Sequence, residues 1–279
     1  MPIRDELDYI NIVNNTAKAK IALQGAHIFD FQTKDKKRLL YLSDTSHFKK
    51  GKAIRGGIPI CWPWFGANEE DNTLPNHGFA RTSLWKHEST KNISDVETKV
   101  RLTLESTPET HALWPFDFLL ILDFYIGEEL KLVLTSKNLD RKPFSLSLAL
   151  HTYFEIDDIY KTTIDGLEGK AFYNKCNNTH NNIQNENINF TQEVDRVYQE
   201  VGNDVMIRDK EQNLVIKTEG SNSIVVWNPG KELCSKMSDL SDYRTFVCVE
   251  SANVLEDIVT LGVDESYTLT LTISQKIEN

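Results

Sequence analysis

Alternation of apolar and polar residues with a period of two recurs along this chain, and it is the feature that most restricts the fold. In VRLTLES (100–106), Val100, Leu102 and Leu104 alternate with Arg101, Thr103 and Glu105. In YTLTLTIS (267–274), Tyr267, Leu269, Leu271 and Ile273 alternate with Thr268, Thr270, Thr272 and Ser274. The same reading gives strands at KIALQGAH (20–27), LKLVLTSKN (130–138), FSLSLALHTYFEI (144–156), NLVIKTE (213–219), SIVVW (223–227) and TFVCVE (245–250). A strand turns successive side chains to opposite faces, so this pattern marks half-buried antiparallel strands. Long amphipathic helices are absent, and short helical turns are expected near 44–49 and 107–113. The predicted fold is all-β, a large antiparallel β-sandwich.

Sandwiches of this size often form one unit, so the 279 residues are expected to make a single domain, 1–279. The Asn-rich stretch NKCNNTHNNIQNENINF (174–190) has little apolar spacing and is expected to be an exposed loop. A net charge of −10 argues against generic binding to nucleic acid or to an anionic membrane. No signal-peptide pattern is visible in MPIRDELDYI. The greasiest run, FLLILDFYI (118–126), is interrupted by Asp123 and is too short to span a bilayer as a helix. Cys61, Cys176, Cys234 and Cys248 are scattered and form no CxxC, as expected of a reduced cytoplasmic protein. The histidines show no metal-ligand spacing, and there is no GxGxxG, P-loop, HExxH or GxSxG. Neither cofactor nor metal is implied. His27, His47, His87, His111 and His180 read as structural or surface residues.

Three stretches carry chemistry. In FSLSLALH, Phe144, Leu146, Leu148 and Leu150 share one strand face, and Ser145, Ser147, Ala149 and His151 share the other. Small side chains ending in a histidine leave room for a ligand, although a solvent face with a stray histidine fits as well. In TFVCVES, Phe246, Cys248 and Glu250 share a face. A carboxylate in so apolar a strand must be partnered, face a polar cleft, or sit at a strand end in water. In AIRGGIPICWPWFG (53–66), followed by NHGFAR (76–81), Arg55 and Arg81 flank a segment rich in Gly, Pro and aromatic residues. Gly56 and Gly57 permit unusual dihedrals, and Trp62, Trp64 and Phe65 offer faces for stacking on a sugar. Arginine suits phosphate oxygens. A pocket for a sugar with an anionic group would use this combination. Trp85, Trp114 and Trp227 read as core.

These residues resemble a known family. AIRGGIPICWPWFG, NHGFAR, ALHTYF (149–154), EVDRVY (193–198), VVWNPG (225–230) and FVCVESA (246–252) occur in this order in the glucose-6-phosphate 1-epimerases, or hexose-6-phosphate mutarotases, of the aldose 1-epimerase superfamily, especially its bacterial YeaD type. The resemblance covers nearly the whole chain. It implies the galactose mutarotase-like β-supersandwich and two catalytic residues, His151 and Glu250. It implies substrate contacts from Arg55, Arg81, Asp195 and His77. Asn76 stands where some relatives carry glutamine and retains an amide for the sugar.

The implied chemistry exchanges the α and β anomers of a hexose 6-phosphate. An ionised Glu250 would take the C1 hydroxyl proton and a protonated His151 would give one to the ring oxygen. Arg55 and Arg81 would hold the phosphate. The expected partner is a small sugar phosphate and the expected state a monomer. Two other readings stay open, the same chemistry on neutral aldoses and a carbohydrate-binding protein without turnover. A purely structural sandwich would leave residues 53–81 unexplained.

Overall fold

Two large antiparallel sheets dominate the computed structural model, which describes residues 7–276 apart from 203 and 211. The nine-stranded sheet has at its centre the strands Glu97–Glu105, Phe118–Ile126, Leu130–Asn138, Ser266–Lys276 and Asn213–Glu219. Leu130–Asn138 is buried at every second residue, as its alternation requires. The eight-stranded sheet places Phe246–Asn253 between Ser223–Asn228 on one side and Leu148–Leu150 and Tyr153–Glu155 on the other. Smaller sheets are formed by Tyr9–Val13, Ala17–Ala22 and His27–Thr33, and by Phe144–Leu146 with Val259–Leu261. The two short α-helices among the described residues are Pro108–Leu113 and Gly230–Cys234. This is the expected antiparallel β-supersandwich.

One face of each large sheet enters a common core. Val100, Leu102, Leu122, Phe124, Leu132, Leu269 and Leu271 of the nine-stranded sheet belong to the same buried cluster as Leu148, Leu150, Ile224, Val226, Val247 and Val249 of the eight-stranded sheet. Burying such side chains is worth about 1.5–3 kcal/mol each, which makes this cluster the main driving force for folding. The opposite face of the eight-stranded sheet carries Phe246, Cys248 and Glu250, in agreement with the parity read from the sequence.

Several local expectations are corrected. The 20–27 segment is two strands, because the chain turns at Gly25 and Ala26, both at positive φ. The 144–156 segment is interrupted at Ser147 and at His151–Thr152. At these breaks the backbone leaves its neighbour strand for the 56–63 segment. Ser147 N–H donates to the Pro63 carbonyl, His151 N–H to Pro59 and Tyr153 N–H to Gly57, at 3.0, 3.0 and 2.9 Å. Residues 44–45 form a turn and 46–49 no regular element, so no helical turn is present there, whereas the helix at Pro108–Leu113 is present, capped by Thr107. The Asn-rich stretch is not simply a loop. Thr179–Ile183 pairs with Ala171–Asn174 at the edge of the eight-stranded sheet, and Ile188–Asn189 pairs with Thr163–Asp165. Its polar composition reflects an edge strand solvated on both faces. No helix among the described residues is long and apolar enough to cross a membrane.

Candidate active site

The register of the eight-stranded sheet fixes which side chains share the site. Asp195 lies opposite Trp227, Trp227 opposite Cys248, and Cys248 opposite Tyr153. In the next row on the same face, Val197 lies opposite Val225, and Val225 opposite Glu250. Small residues continue the surface: Ala149 is opposite both Ala252 and Cys61. The face therefore offers polar groups beside a floor of short side chains.

His151 sits at the break that follows Leu148–Leu150. Its ring stacks on Tyr153, with centroids 4.9 Å apart and planes at 12°. Trp227 meets the same ring edge-on at 6.1 Å. His151 Nε2 and Glu250 Oε1 are 3.2 Å apart, with the residues only 7% and 1% exposed. Glu250 is thus a mid-strand buried carboxyl, not a strand-end group in water. Its Oε2 and the Nδ1 of His151 are buried without a hydrogen-bond partner.

Burial controls the charge of this pair. It pushes Glu250 well above the usual carboxyl range, assisted by nearby Asp195 and opposed by Lys175 and Arg81. It drives His151 well below the usual imidazole range, and the positive charges of Arg81 and Arg55 act in the same direction. Both shifts favour the neutral forms, a protonated carboxyl beside a neutral imidazole. The charges expected from the sequence belong to the reacting pair, which differs from this form by the place of one proton. The proton count is the same as in a carboxylate–imidazolium pair; only the proton's position within the 3.2 Å contact differs.

The 53–81 region supplies the surrounding groups. Gly56 and Gly57 have φ of +118° and +61°, accessible to glycine at little cost. A Cβ on Gly57 would collide with the Ile28 carbonyl and lie 2.6 Å from His27 Nε2. This close approach lets Arg55 leave the backbone next to Tyr153. Arg55 Nη1 donates to the Tyr153 hydroxyl at 2.9 Å, and Nη2 lies 3.0 Å from Asp239 Oδ2. Tyr153 and Asp239 hold the guanidinium firmly charged. Arg81 Nη2 donates to the Asn76 carbonyl at 2.7 Å, and the residue is half-buried. Asn76 itself is exposed.

His77 is held in the left-handed region at φ 65°, an uncommon conformation for a residue other than glycine. Its N–H donates to the Gly66 carbonyl at 2.6 Å, and Gly66 N–H donates back to His77 Nδ1 at 3.1 Å. Accepting at Nδ1 leaves the proton on Nε2, so His77 is a hydrogen-bond donor of fixed tautomer. Burial lowers its pKa to about 3, so the ring is neutral. Its centroid is 5.8 Å from that of His151.

Asp195 is paired with Lys175 at 3.1 Å, and the Lys175 ammonium lies over the Phe65 ring, 5.5 Å from its centroid. Burial raises Asp195 even though the lysine opposes the shift. Lys175 was missed in the sequence because it lies in the Asn-rich stretch, and its pairing depends on Asp195 arriving from another strand. Asp239, which braces Arg55, carried no signal either.

The aromatic assignments are partly reversed. Trp62 is fully buried against Phe79, Trp114 and Phe118, and Trp64 is core with its indole N–H donating to Pro75 O at 2.9 Å. Neither is a stacking platform at the site. Phe65 is half-buried beside His77, with centroids 4.9 Å apart. Trp227, read as core, is the tryptophan next to His151. Its parity with Val225 was legible, but the pairing with Cys248 that turns it toward the histidine was not.

Comparison with known proteins gives the family. A family model described as aldose 1-epimerase matches residues 8–274. The chain is 39% identical over 259 residues to an Escherichia coli protein provisionally named glucose-6-phosphate 1-epimerase, covering 90% of this chain and 85% of the relative. A protein of Cenchrus ciliaris with the same provisional name is 34% identical over 262 residues, covering 89% and 78%. Among solved structures, a Salmonella typhimurium protein described provisionally as a mutarotase, YeaD, superposes with a TM-score of 0.91 at 32% identity, covering 98% of this chain and 92% of that one. The nearly complete family match, the identity to the relatives and the shared fold lead to one conclusion: the chain belongs to the aldose 1-epimerase family.

Proposed function

We propose that the protein interconverts the α and β anomers of glucose 6-phosphate and related hexose 6-phosphates by opening and reclosing the pyranose ring. The observation that carries this reading is the buried 3.2 Å contact between His151 Nε2 and Glu250 Oε1, beside the guanidiniums of Arg55 and Arg81. The names of the relatives at 39% and 34% identity support the phosphorylated substrate.

The resting pair holds one proton on Glu250. Burial is the main cause that depresses His151; a phosphate dianion held by Arg55 and Arg81 offsets their smaller contribution and draws the proton from Glu250 to His151. The carboxylate then removes the proton from the C1 hydroxyl while the imidazolium protonates the ring oxygen. The bond from C1 to the ring oxygen breaks and leaves an aldehyde. Rotation about C1–C2 presents the other carbonyl face. In reclosure the C5 hydroxyl attacks C1, His151 recovers its proton, and Glu250 returns one to the new C1 hydroxyl. Each group acts once as acid and once as base, so no net proton is consumed. His77 donates from Nε2 to a sugar oxygen. Asp195 accepts from sugar hydroxyls with Lys175 balancing its charge, and the Asn76 amide lies at the rim. All these groups come from one chain, so the site is read as complete in a monomer.

The test is NMR exchange between the C1 anomer signals of glucose 6-phosphate and, separately, of glucose. Catalysed exchange of the phosphate alone, lost in Glu250→Gln and in His151→Asn, is the expected result. Equal catalysis on both sugars would move the protein to neutral aldoses. Sugar binding without exchange would make it a carbohydrate-binding protein.

A further inference from the structure

The acid–base scheme leaves one reactive group at the site without a task. Cys248 is fully buried and packs in a cluster with Tyr41, Tyr153 and Phe246, and the proton transfers do not use its thiol. One ligand atom from each of Cys248, His151 and Glu250 lies within 4.8 Å of the others. Two of these, His151 Nε2 and Glu250 Oε1, are already 3.2 Å apart. Glu250 Oε2 is buried and lacks a hydrogen-bond partner. We propose that His151, Cys248 and Glu250 form a binding site for a zinc-like divalent cation, and that the ion excludes the sugar by occupying the lone pairs the reaction needs.

Imidazole nitrogen, thiolate sulfur and carboxylate oxygen together make the donor set preferred by zinc over magnesium or calcium. Zinc bonds of about 2.0–2.3 Å put neighbouring ligand atoms of a tetrahedral site about 3.3–3.8 Å apart. The histidine and glutamate already meet that spacing, so the thiol is the group that has to approach. A fourth position remains for water. The cations nearby, Arg55, Arg81 and Lys175, oppose a free divalent ion. Coordination, however, releases one proton from the thiol and one from the carboxyl to solvent. A dication enters and two protons leave, so the local net charge is unchanged. Asp195 and Asp239 already balance Lys175 and Arg55.

The inhibitory half of this inference rests on the proposed function, but the binding half does not. Cobalt(II) added to the full-length protein is the probe. The expected result is a thiolate-to-cobalt absorption band in the near ultraviolet that zinc displaces and that glucose 6-phosphate suppresses. Cys248→Ser should abolish the band, while Cys176→Ser, which removes the exposed thiol, should leave it intact. Zinc should inhibit anomer exchange competitively and reversibly with chelator. Cys248→Ser should retain exchange and weaken the inhibition by at least about 10–100-fold, which is what loss of an outer-shell partner of a metal site costs, because here a direct ligand is lost. Absence of the band in the wild type, its loss in Cys176→Ser, or undiminished inhibition of Cys248→Ser would overturn the proposal. A band without sugar turnover would uphold the metal site and refute the proposed function alone.

Discussion

Replacing Glu250 with glutamine separates the two things this residue does. The side chains have the same shape, and the resting glutamate is neutral, so the substitution removes no charge from the folded protein. The amide can still meet His151 Nε2 at the 3.2 Å contact. Folding stability near pH 5 is therefore expected to change by no more than about 1 kcal/mol, the scale of one neutral hydrogen bond. Catalysis is different. A positioned acid–base group contributes about 10²–10⁴-fold, and without Glu250 the proton that arms His151 is also lost. The expected fall in exchange rate is about 10³-fold or more, about 4 kcal/mol of barrier. The variant also reports the resting charge. Glu250 is raised in the folded state, so the native protein binds more protons there than the unfolded chain does. Its stabilising contribution is complete below pH 4.5, the unfolded value, and is lost as pH rises through the folded value. Glutamine cannot titrate, so the variant should gain on the wild type as pH rises from 5 to 9. Anomer-exchange NMR measures the first effect and urea unfolding across pH the second. Turnover within tenfold of wild type would refute the catalytic assignment. A difference in stability independent of pH would refute the neutral resting state.

Arg81→Ala should raise KM for glucose 6-phosphate by about tenfold or more, from loss of a charge-assisted bond of about 1.5–3 kcal/mol, and barely alter any activity on glucose; equal effects on both sugars would count against a phosphate role. Tyr153→Phe removes the 2.9 Å bond from Arg55 and leaves its pairing with Asp239, so KM for the phosphorylated sugar should rise more modestly, by severalfold in steady-state assays. His27 is buried with Nε2 bonded to the Gly56 carbonyl at 2.8 Å, and burial lowers its pKa to about 4. The unfolded chain takes up the proton first, so this contribution is present above pH 6.5 and falls with pH toward the folded value. His27→Gln, which keeps a donor for Gly56, should therefore lose about 2 kcal/mol less than wild type between pH 7 and pH 5 in urea unfolding. Gly57→Ala forces a side chain into φ +61° and a Cβ to 2.6 Å from His27 Nε2, and should cost about 3 kcal/mol or more, read as a lower midpoint in thermal unfolding.

Much of this protein is determined locally. Side-chain parity along a strand is a property of consecutive residues, so the alternation at 130–138 and 213–219 marked strands that the fold reproduces over the same residues. Parity also placed Glu250 and Cys248 on the face opposite Val247 and Val249, and the absence of a side chain at Gly56 and Gly57 allowed the unusual dihedrals found there. Six ordered motifs are enough to mark the family, because each is a run of consecutive residues. What local pattern could not supply was register, because pairing joins residues far apart in the chain. Only the register brings Trp227 beside Cys248 and Tyr153, and only the folded edge hairpin brings Lys175 to Asp195. The tryptophans at 62 and 64 looked like binding surfaces but fill the core, because a composition rich in aromatics does not say which way each ring turns. Charge was the last thing decided by tertiary structure. Glutamate and histidine are ionised or titratable in an extended chain. Desolvation inside the folded sheet pushes both toward their neutral forms, and that depends on how completely the surrounding chain excludes water.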